Sequence, residues 1–361
     1  MKTTVLEHPR IRLSEALVLL TTLLLSSFPG LSKAAEMATA DDFRKSLLDE
    51  VTSLSEQKIA AVEGAEGWLF LTAELKFLST GQFWTDSTAT VSLPTTSATV
   101  DPFAAIVDFN KQLQSLGVHL LLVPVPAKAS IYPEKLFSSF QGKPDAIWTD
   151  LQRFYRRLAD AGVDAVDLLP LLYSARNDER GPVYCRTDSH WSNLGCVIAA
   201  KAIADHIRSL LPANTPGKYQ VLWNEIAFTG DLVSLLPEST TAKPAQESMK
   251  IRQVQTPDGN GVVDPGKDSP LLLIGDSHTL VFHDFLAEKA GLLDQLAFEL
   301  GVCPDLIGTR GSGANAVRVS LYRRSIKEPG YIGKKRVVVW CFSAREFTEA
   351  TPGWQLLPVS K

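Results

Sequence analysis

The stretch Leu271-Leu272-Leu273-Ile274-Gly275-Asp276-Ser277-His278 constrains the chain more than any other. Four aliphatic residues in a row match a strand buried on both faces, as in parallel sheets covered by helices. Gly275 permits a tight turn at the strand end. Ser277 then lies at the carboxyl edge of the sheet, where open α/β folds bind ligands. Thr279 to Leu286 can start a helix. A serine between a strand end and a helix start gains exposure and backbone N–H donors. The same Gly-Asp-Ser pattern also serves as a plain helix cap, so Ser277 needs a partner base before it reads as a nucleophile.

The rest of the chain alternates helices and strands in the same style. Residues 37–62 are helix-compatible, and Gly64 to Leu71 is strand-like. Residues 85–102, rich in Thr, Ser and Pro, predict a loop. A helix is predicted over 103–116 with Gly117 as its stop, then a strand from Val118 to Val125. His119 sits at that strand's start, the wrong end for chemistry, and reads as structural. A helix over 145–161, a strand over Val163 to Leu168 and a turn over Leu169 to Ala175 follow. The spacing then predicts a helix over Asn193 to Leu211. Residues 212–270 form an irregular insertion with one hairpin. After the Leu271 strand, the glycine-rich turn Gly308 to Asn315 leads into a helix over 316–327, and Arg336 to Phe342 is the last strand. This order predicts a three-layer α/β/α sandwich around a mostly parallel sheet. At 361 residues and 45% hydrophobic content, the chain can bury one large core, or a core plus a small appendage.

Compartment follows from the N-terminus. Lys2, Arg10 and Arg12 precede an apolar segment from Ala16 to Phe28, and Ser32-Lys33-Ala34 fits a small-x-small cleavage site. Residues 1–34 therefore read as a signal peptide, with an uncleaved signal anchor as the alternative. The folded domain is expected over 35–361. Cys185, Cys196, Cys303 and Cys341 permit disulfides in an exported chain without requiring them, and three pairings stay open. No C-x-x-C pair supports a zinc ribbon. The net charge of −4 gives no electrostatic case for nucleic acid.

A second stretch completes the chemistry. Tyr184-Cys185-Arg186-Thr187-Asp188-Ser189-His190-Trp191-Ser192 precedes the helix predicted from Asn193. A serine hydroxyl needs a base within hydrogen-bond reach, which His190 can be. The other ring nitrogen needs an acceptor, and Asp188 is two residues away. A developing oxyanion needs backbone donors, which the Ser277 N–H and a glycine N–H near Gly311 or Gly313 can supply. Alternatives remain: Asp188 or Ser192 as a helix cap, His278 as a rival base, and Asp188, His190 and His278 as metal ligands without diagnostic spacing.

These pieces resemble the alginate O-acetyltransferase family of AlgJ/AlgX type, which carries an SGNH-hydrolase-like domain. The resemblance rests on Gly67-Trp68-Leu69-Phe70-Leu71 with Glu74-Leu75, and on Val123-Pro124-Val125-Pro126-Ala127-Lys128 with Tyr132-Pro133-Glu134. It continues with Thr187 to Ser192, Gly230-Asp231-Leu232, Ile274 to His278, and Val338-Val339-Trp340 followed by Arg345-Glu346. It implies a circularly permuted SGNH order, with Ser277 as nucleophile, His190 as base, Asp188 as orienter, and Gly311 or Gly313 near a second oxyanion donor. The block-three asparagine of such enzymes is not evident; Ser343-Ala344-Arg345 stands there. Arg345 is either a donor- or glycan-binding cation or a structural ion pair, and Asn315 reads as a helix cap. The short tail implies the AlgJ-type arrangement, without the carbohydrate-binding module of AlgX-type members.

The expected function is an exported, periplasmic O-acetyltransferase, either released or anchored to the inner membrane by its N-terminal segment. It would act on a polysaccharide acceptor and need no cofactor or metal. The resemblance implies an acetyl donor supplied by a membrane-bound O-acyltransferase. An acetyl-esterase using the same residues is the nearest rival. A non-catalytic glycan-binding subunit of an export complex is another, and an exposed row of Trp84, Trp148 and Trp223 would favour it.

Overall fold

The computed structural model describes residues 39–84, 101–142, 145–212, 218–240, 244–259, 266–311, 313–351 and 353–361. The N-terminal segment 1–34 and nearly all of the predicted 85–102 loop lie outside the described residues. Residues 101 and 102 instead begin a helix, Pro102–Ser115: Asp101 accepts the Phe103 N–H (2.8 Å), and Pro102 supplies a preset φ at the first position.

Nine strands are described: β1 Ala61–Glu63, β2 Leu69–Leu71, β3 His119–Val125, β4 Asp164–Ala165, β5 Gln220–Phe228, β6 Glu247–Gln255, β7 Leu271–Gly275, β8 Asp305–Gly308 and β9 Val337–Ser343. Five make one sheet, in the order β4-β3-β9-β7-β8, and every pairing in it is parallel. All residues of β7 and β9 are buried, which matches their unbroken apolar sequences. Trp340 of β9 packs edge-on against Phe109 (5.1 Å) and under the Arg318 guanidinium (5.4 Å). It is thus held between the helices Pro102–Ser115 and Ala314–Lys327.

Register decides where chemistry is possible. Gly275 pairs with both Gly308 and Cys341, while β9 continues two residues further, to Ser343 opposite Val125. Asp276 therefore lands beside the end of β9, and its Oδ2 accepts the Ser343 N–H at 2.8 Å. His119 is at the amino end and meets Asp164 across to β4 (3.3 Å), a structural contact.

Three expectations need correction. The strand predicted over 163–168 is only Asp164–Ala165. Its neighbour β3 carries Pro124, and Pro126 follows; neither has an N–H to extend a ladder. The helix expected from Thr279 to Leu286 is a single turn, Ser277–Leu280. Phe282, Leu286 and Lys289 then take positive φ, and the chain doubles back, with Phe282 N–H bonded to the Phe285 carbonyl. The helix that follows is Leu292–Leu300. The insertion is also more regular than its composition suggested. β5 and β6 pair over nine residues each, with Ile251 and Val254 of β6 buried and most of β5 exposed.

Cys185, Cys196 and Cys341 are buried free thiols. Trp84 and Trp148 belong to the core, whereas Trp223 is exposed. Among the described residues, no helix is long and apolar enough to cross a membrane.

The turn at Gly275 has no room for a side chain. A Cβ there would sit 1.9 Å from Thr279 Oγ1 and 2.1 Å from the Cys341 carbonyl oxygen. Gly275→Ala is expected to lower stability by about 3 kcal/mol, the upper range for overpacking. Urea unfolding measures this, and an unchanged midpoint would contradict the packing described.

Candidate active site

Asp188 and His190 lie in a loop closed on itself, outside helix and sheet. A bridge between Tyr184 and Trp191 brackets it. Cys185 N–H bonds to the His190 carbonyl (3.2 Å), and Ser192 N–H to the Val183 carbonyl (2.9 Å). Spacing of two lets the Asp188 carboxylate fold forward. Its Oδ1 accepts the His190 backbone N–H (3.1 Å) and lies 2.6 Å from His190 Nδ1. The helix Asn193–Ile207 then starts with Ser192 as its cap, so of the two candidates for that role Ser192 holds it.

Ser277 follows β7 as the first residue of its one-turn helix. Asp276 caps that turn by accepting the His278 N–H (2.9 Å). Ser277 Oγ is 2.8 Å from His190 Nε2. The three side chains therefore form one hydrogen-bonded line, Ser277 Oγ to His190 to Asp188. With Nδ1 donating to Asp188, the Nε2 lone pair faces the serine hydroxyl, the arrangement a general base needs.

Electrostatics reinforce the line. Burial alone would raise the Asp188 carboxyl. The hydrogen bond and charge of His190, with the backbone N–H groups of Asp231 and His190, hold it down to about 2. Asp276, fully buried, is likewise held at about 2 by His278, Arg345 and the Ser343 N–H against the opposing effect of burial. His278 is fully buried with its ring 4.7 Å from that of His190, and burial pushes it below the ordinary histidine value. Its Nδ1 approaches Asp276 (3.4 Å), whereas the serine hydroxyl is bonded to His190.

The glycine-rich turn leaves β8 at the same edge, with Thr309 N–H bonded to the Gly275 carbonyl (3.1 Å). Gly311 sits in open space at φ +65°. Gly313 is pressed on Glu346; a Cβ would fall 1.4 Å from Oε2. That carboxylate accepts the Ala314 N–H (3.3 Å), and burial raises Glu346 to about 7. The Arg345 guanidinium is 3.6 Å from buried Glu74 and donates to Ser343 Oγ (3.2 Å). Asn315 does not cap its helix; its amide bonds the Gly353 carbonyl from within the first turn.

Sequence reasoning gave no role to Asp231. Its N–H donates to Asp188 Oδ2 (2.9 Å), while its own carboxylate receives the Ser189 N–H (2.7 Å) and hydroxyl (2.6 Å). The signal was Gly230: a Cβ there would sit 2.1 Å from the Thr187 carbonyl oxygen, so only glycine lets Asp231 approach the loop. Among the described residues, Asp188, His190 and Asp231 also form a cluster of metal-ligating type. The four carboxylate oxygens each accept at least one N–H or O–H hydrogen from the chain. That orientation suits a hydrogen-bonded triad better than cation coordination.

A family model described as "SGNH hydrolase-like domain, acetyltransferase AlgX" matches residues 61–292. The "Probable alginate O-acetylase AlgJ" of Pseudomonas aeruginosa is 32% identical over 191 residues, covering 52% of this chain and 44% of that protein. The chain thus spans about half the length of the curated relatives it matches. Among solved structures, the O-acetyltransferase domain of Pseudomonas putida AlgJ is similar at TM-score 0.61 and 25% identity, covering 80% of this chain and 92% of that one. Pseudomonas aeruginosa AlgX shares the fold at TM-score 0.57 and 15% identity, over 85% and 65% of the respective chains.

The buried carboxyls give a pH dependence of defined sign. Asp188 and Asp276 ionise far below the unfolded value of about 3.9, so they stabilise the fold above that pH and lose this as pH falls toward about 2. Glu346, raised to about 7, acts in reverse: stability declines as pH rises from about 4.5 through about 7. Urea unfolding across this range is expected to show both limbs, and Glu346→Gln to flatten the upper one. An upper limb that persists in the variant would assign it elsewhere.

Proposed function

Because the chain belongs to the SGNH hydrolase-like family of AlgX-type acetyltransferase domains, we propose that it is a serine O-acetyltransferase acting on a polysaccharide. The observation that carries this reading is the unbroken line from Ser277 Oγ through His190 to ionised Asp188. Ser277 Oγ attacks the acetyl carbonyl of the donor while His190 Nε2 takes its proton. The tetrahedral intermediate places its charge on the former carbonyl oxygen, beside the Ser277 N–H at the start of its turn and facing the glycine-rich segment of Gly311 and Gly313. Collapse breaks the bond to the donor's leaving group, which receives the proton from His190. Acetyl-Ser277 remains. A sugar hydroxyl then gives its proton to His190 and attacks the acyl carbon; the proton returns to Ser277 as the acetylated sugar leaves. Asp188 keeps the imidazole in the productive tautomer and stabilises its charged form.

The reading includes an exported, periplasmic location, from the basic and then apolar N-terminus, and a membrane-bound O-acyltransferase as source of the acetyl group. Water in place of the sugar would make the same centre an acetyl-esterase. The exposed row of tryptophans that a glycan-binding subunit would favour is not formed by Trp84 and Trp148, which are buried.

Ser277→Ala is expected to lower acetyl transfer by about ten-thousand-fold and to abolish covalent capture of a serine-reactive probe. Probe labelling that survives unchanged in the variant would overturn the nucleophile assignment. Product analysis with an acetyl donor and a polysaccharide separates the two acceptors: acetylated polymer supports the transferase, free acetate alone the esterase.

A further inference from the structure

The loop that carries Asp188 and His190 lacks a ladder or helix to absorb its peptide groups, yet they are buried and need partners. Two buried side chains of opposite charge supply them. Glu247, at the amino end of β6, accepts the Arg186 N–H (2.8 Å), the Thr187 N–H (2.9 Å) and the Thr187 hydroxyl (3.0 Å). Lys128, just past the carboxyl end of β3, donates its ammonium hydrogens to the carbonyls of Asp188 (2.7 Å), Leu69 (2.8 Å) and Arg186 (3.4 Å). Three hydrogens meet three acceptors, all backbone.

Lys128 is fully buried, and burial lowers its pKa against the pull of Glu74, Asp188 and Glu247. A buried ammonium is costly, and a methionine of similar length would fill the space without that cost. What the charge adds is direction. The N–H groups of residues 186 and 187 point to an anion; the carbonyls of 186 and 188 point to a cation. Asp188 is thereby fixed at its carbonyl by Lys128, at Oδ2 by the Asp231 N–H, and at Oδ1 on His190. Lys128 is in turn tied to the sheet. Glu74 accepts its backbone N–H (3.2 Å) and faces Arg345, which reaches Ser343 at the end of β9.

We propose that Lys128 and Glu247 are positioning residues, an electrostatic clamp that presets the Asp188–His190 pair for acyl transfer. The proposal rests on the acyl-transfer reading for its rate effect but not for its geometry. Two readouts separate these. The first is the low-field proton resonance of His190 Nδ1–H on Asp188, which needs no reaction. The second is the rate at which a serine-reactive probe labels Ser277.

In Lys128→Met the resonance is expected to move upfield and broaden, and labelling to slow by about a hundred-fold, as for a small misplacement of catalytic groups. Glu247→Gln is expected to do the same in lesser degree, and the double variant to be less impaired than the two losses combined. Lys128→Arg, which keeps the charge, is expected to recover part of the rate. Leu113→Ala, a core truncation away from the loop, is the control: it lowers the melting temperature but leaves both readouts in place. A folded Lys128→Met that keeps the resonance and labels at the wild-type rate overturns the clamp. So does a control that loses both readouts to the same degree. If Lys128→Met fails to fold, wild-type readouts in folded Glu247→Gln overturn it instead. A wild-type protein that shows the resonance but no labelling at Ser277 sinks the acyl-transfer reading alone.

Discussion

A 2.8 Å hydrogen bond between His190 and Ser277 joins positions 87 residues apart in the chain, and much of the structure serves to hold its two ends. A hydrogen bond tolerates errors of only a few tenths of an ångström before it weakens. Ser277 is placed by the sheet: β7 stops at Gly275, and Asp276 locks the next turn to the end of β9. His190 is placed by a loop outside the sheet, so its position depends on side chains from three other segments. Asp231, Lys128 and Glu247 hold that loop.

Buried charge is the common material of these supports. Asp188, Asp276, Lys128 and Glu247 all lie inside, and each is satisfied chiefly by backbone groups. Charge-assisted bonds of this kind are shorter and stronger than neutral ones, and they fix orientation in a low-dielectric interior. The supports work because glycines let backbone and side chains approach. Gly230 lies against the Thr187 carbonyl, Gly275 against the Cys341 carbonyl, and Gly313 against the Glu346 carboxylate.

Much of the fold could be read from local pattern. The largely apolar strands predicted over 118–125, 271–274 and 336–342 and the amphipathic helices between them are short-range signals, and the strands match β3, β7 and β9 to within a residue at each end. The misses share a cause. The strand over 163–168 and the helix over 279–286 have suitable composition, but their neighbours decide otherwise: β3 runs into prolines, and the segment after Val281 folds back on itself. The hairpin expected in the insertion is there, but its extent could not be read, because β5 is exposed along most of its length and its pattern lacks a buried face.

The sequence by itself determined the strand-turn that presents Ser277, the Asp-x-His spacing that pairs Asp188 with His190, and the order of the two motifs. These are local properties, set by a glycine, by side-chain length and by a separation of two residues. Tertiary structure alone decided that the two motifs meet, that Arg345 turns to Glu74 and that Gly313 packs against Glu346. It also decided that Asp231, Lys128 and Glu247 converge on one loop. Those choices depend on register and on burial of charge. Both are set by segments distant in the chain, and no window of sequence contains them.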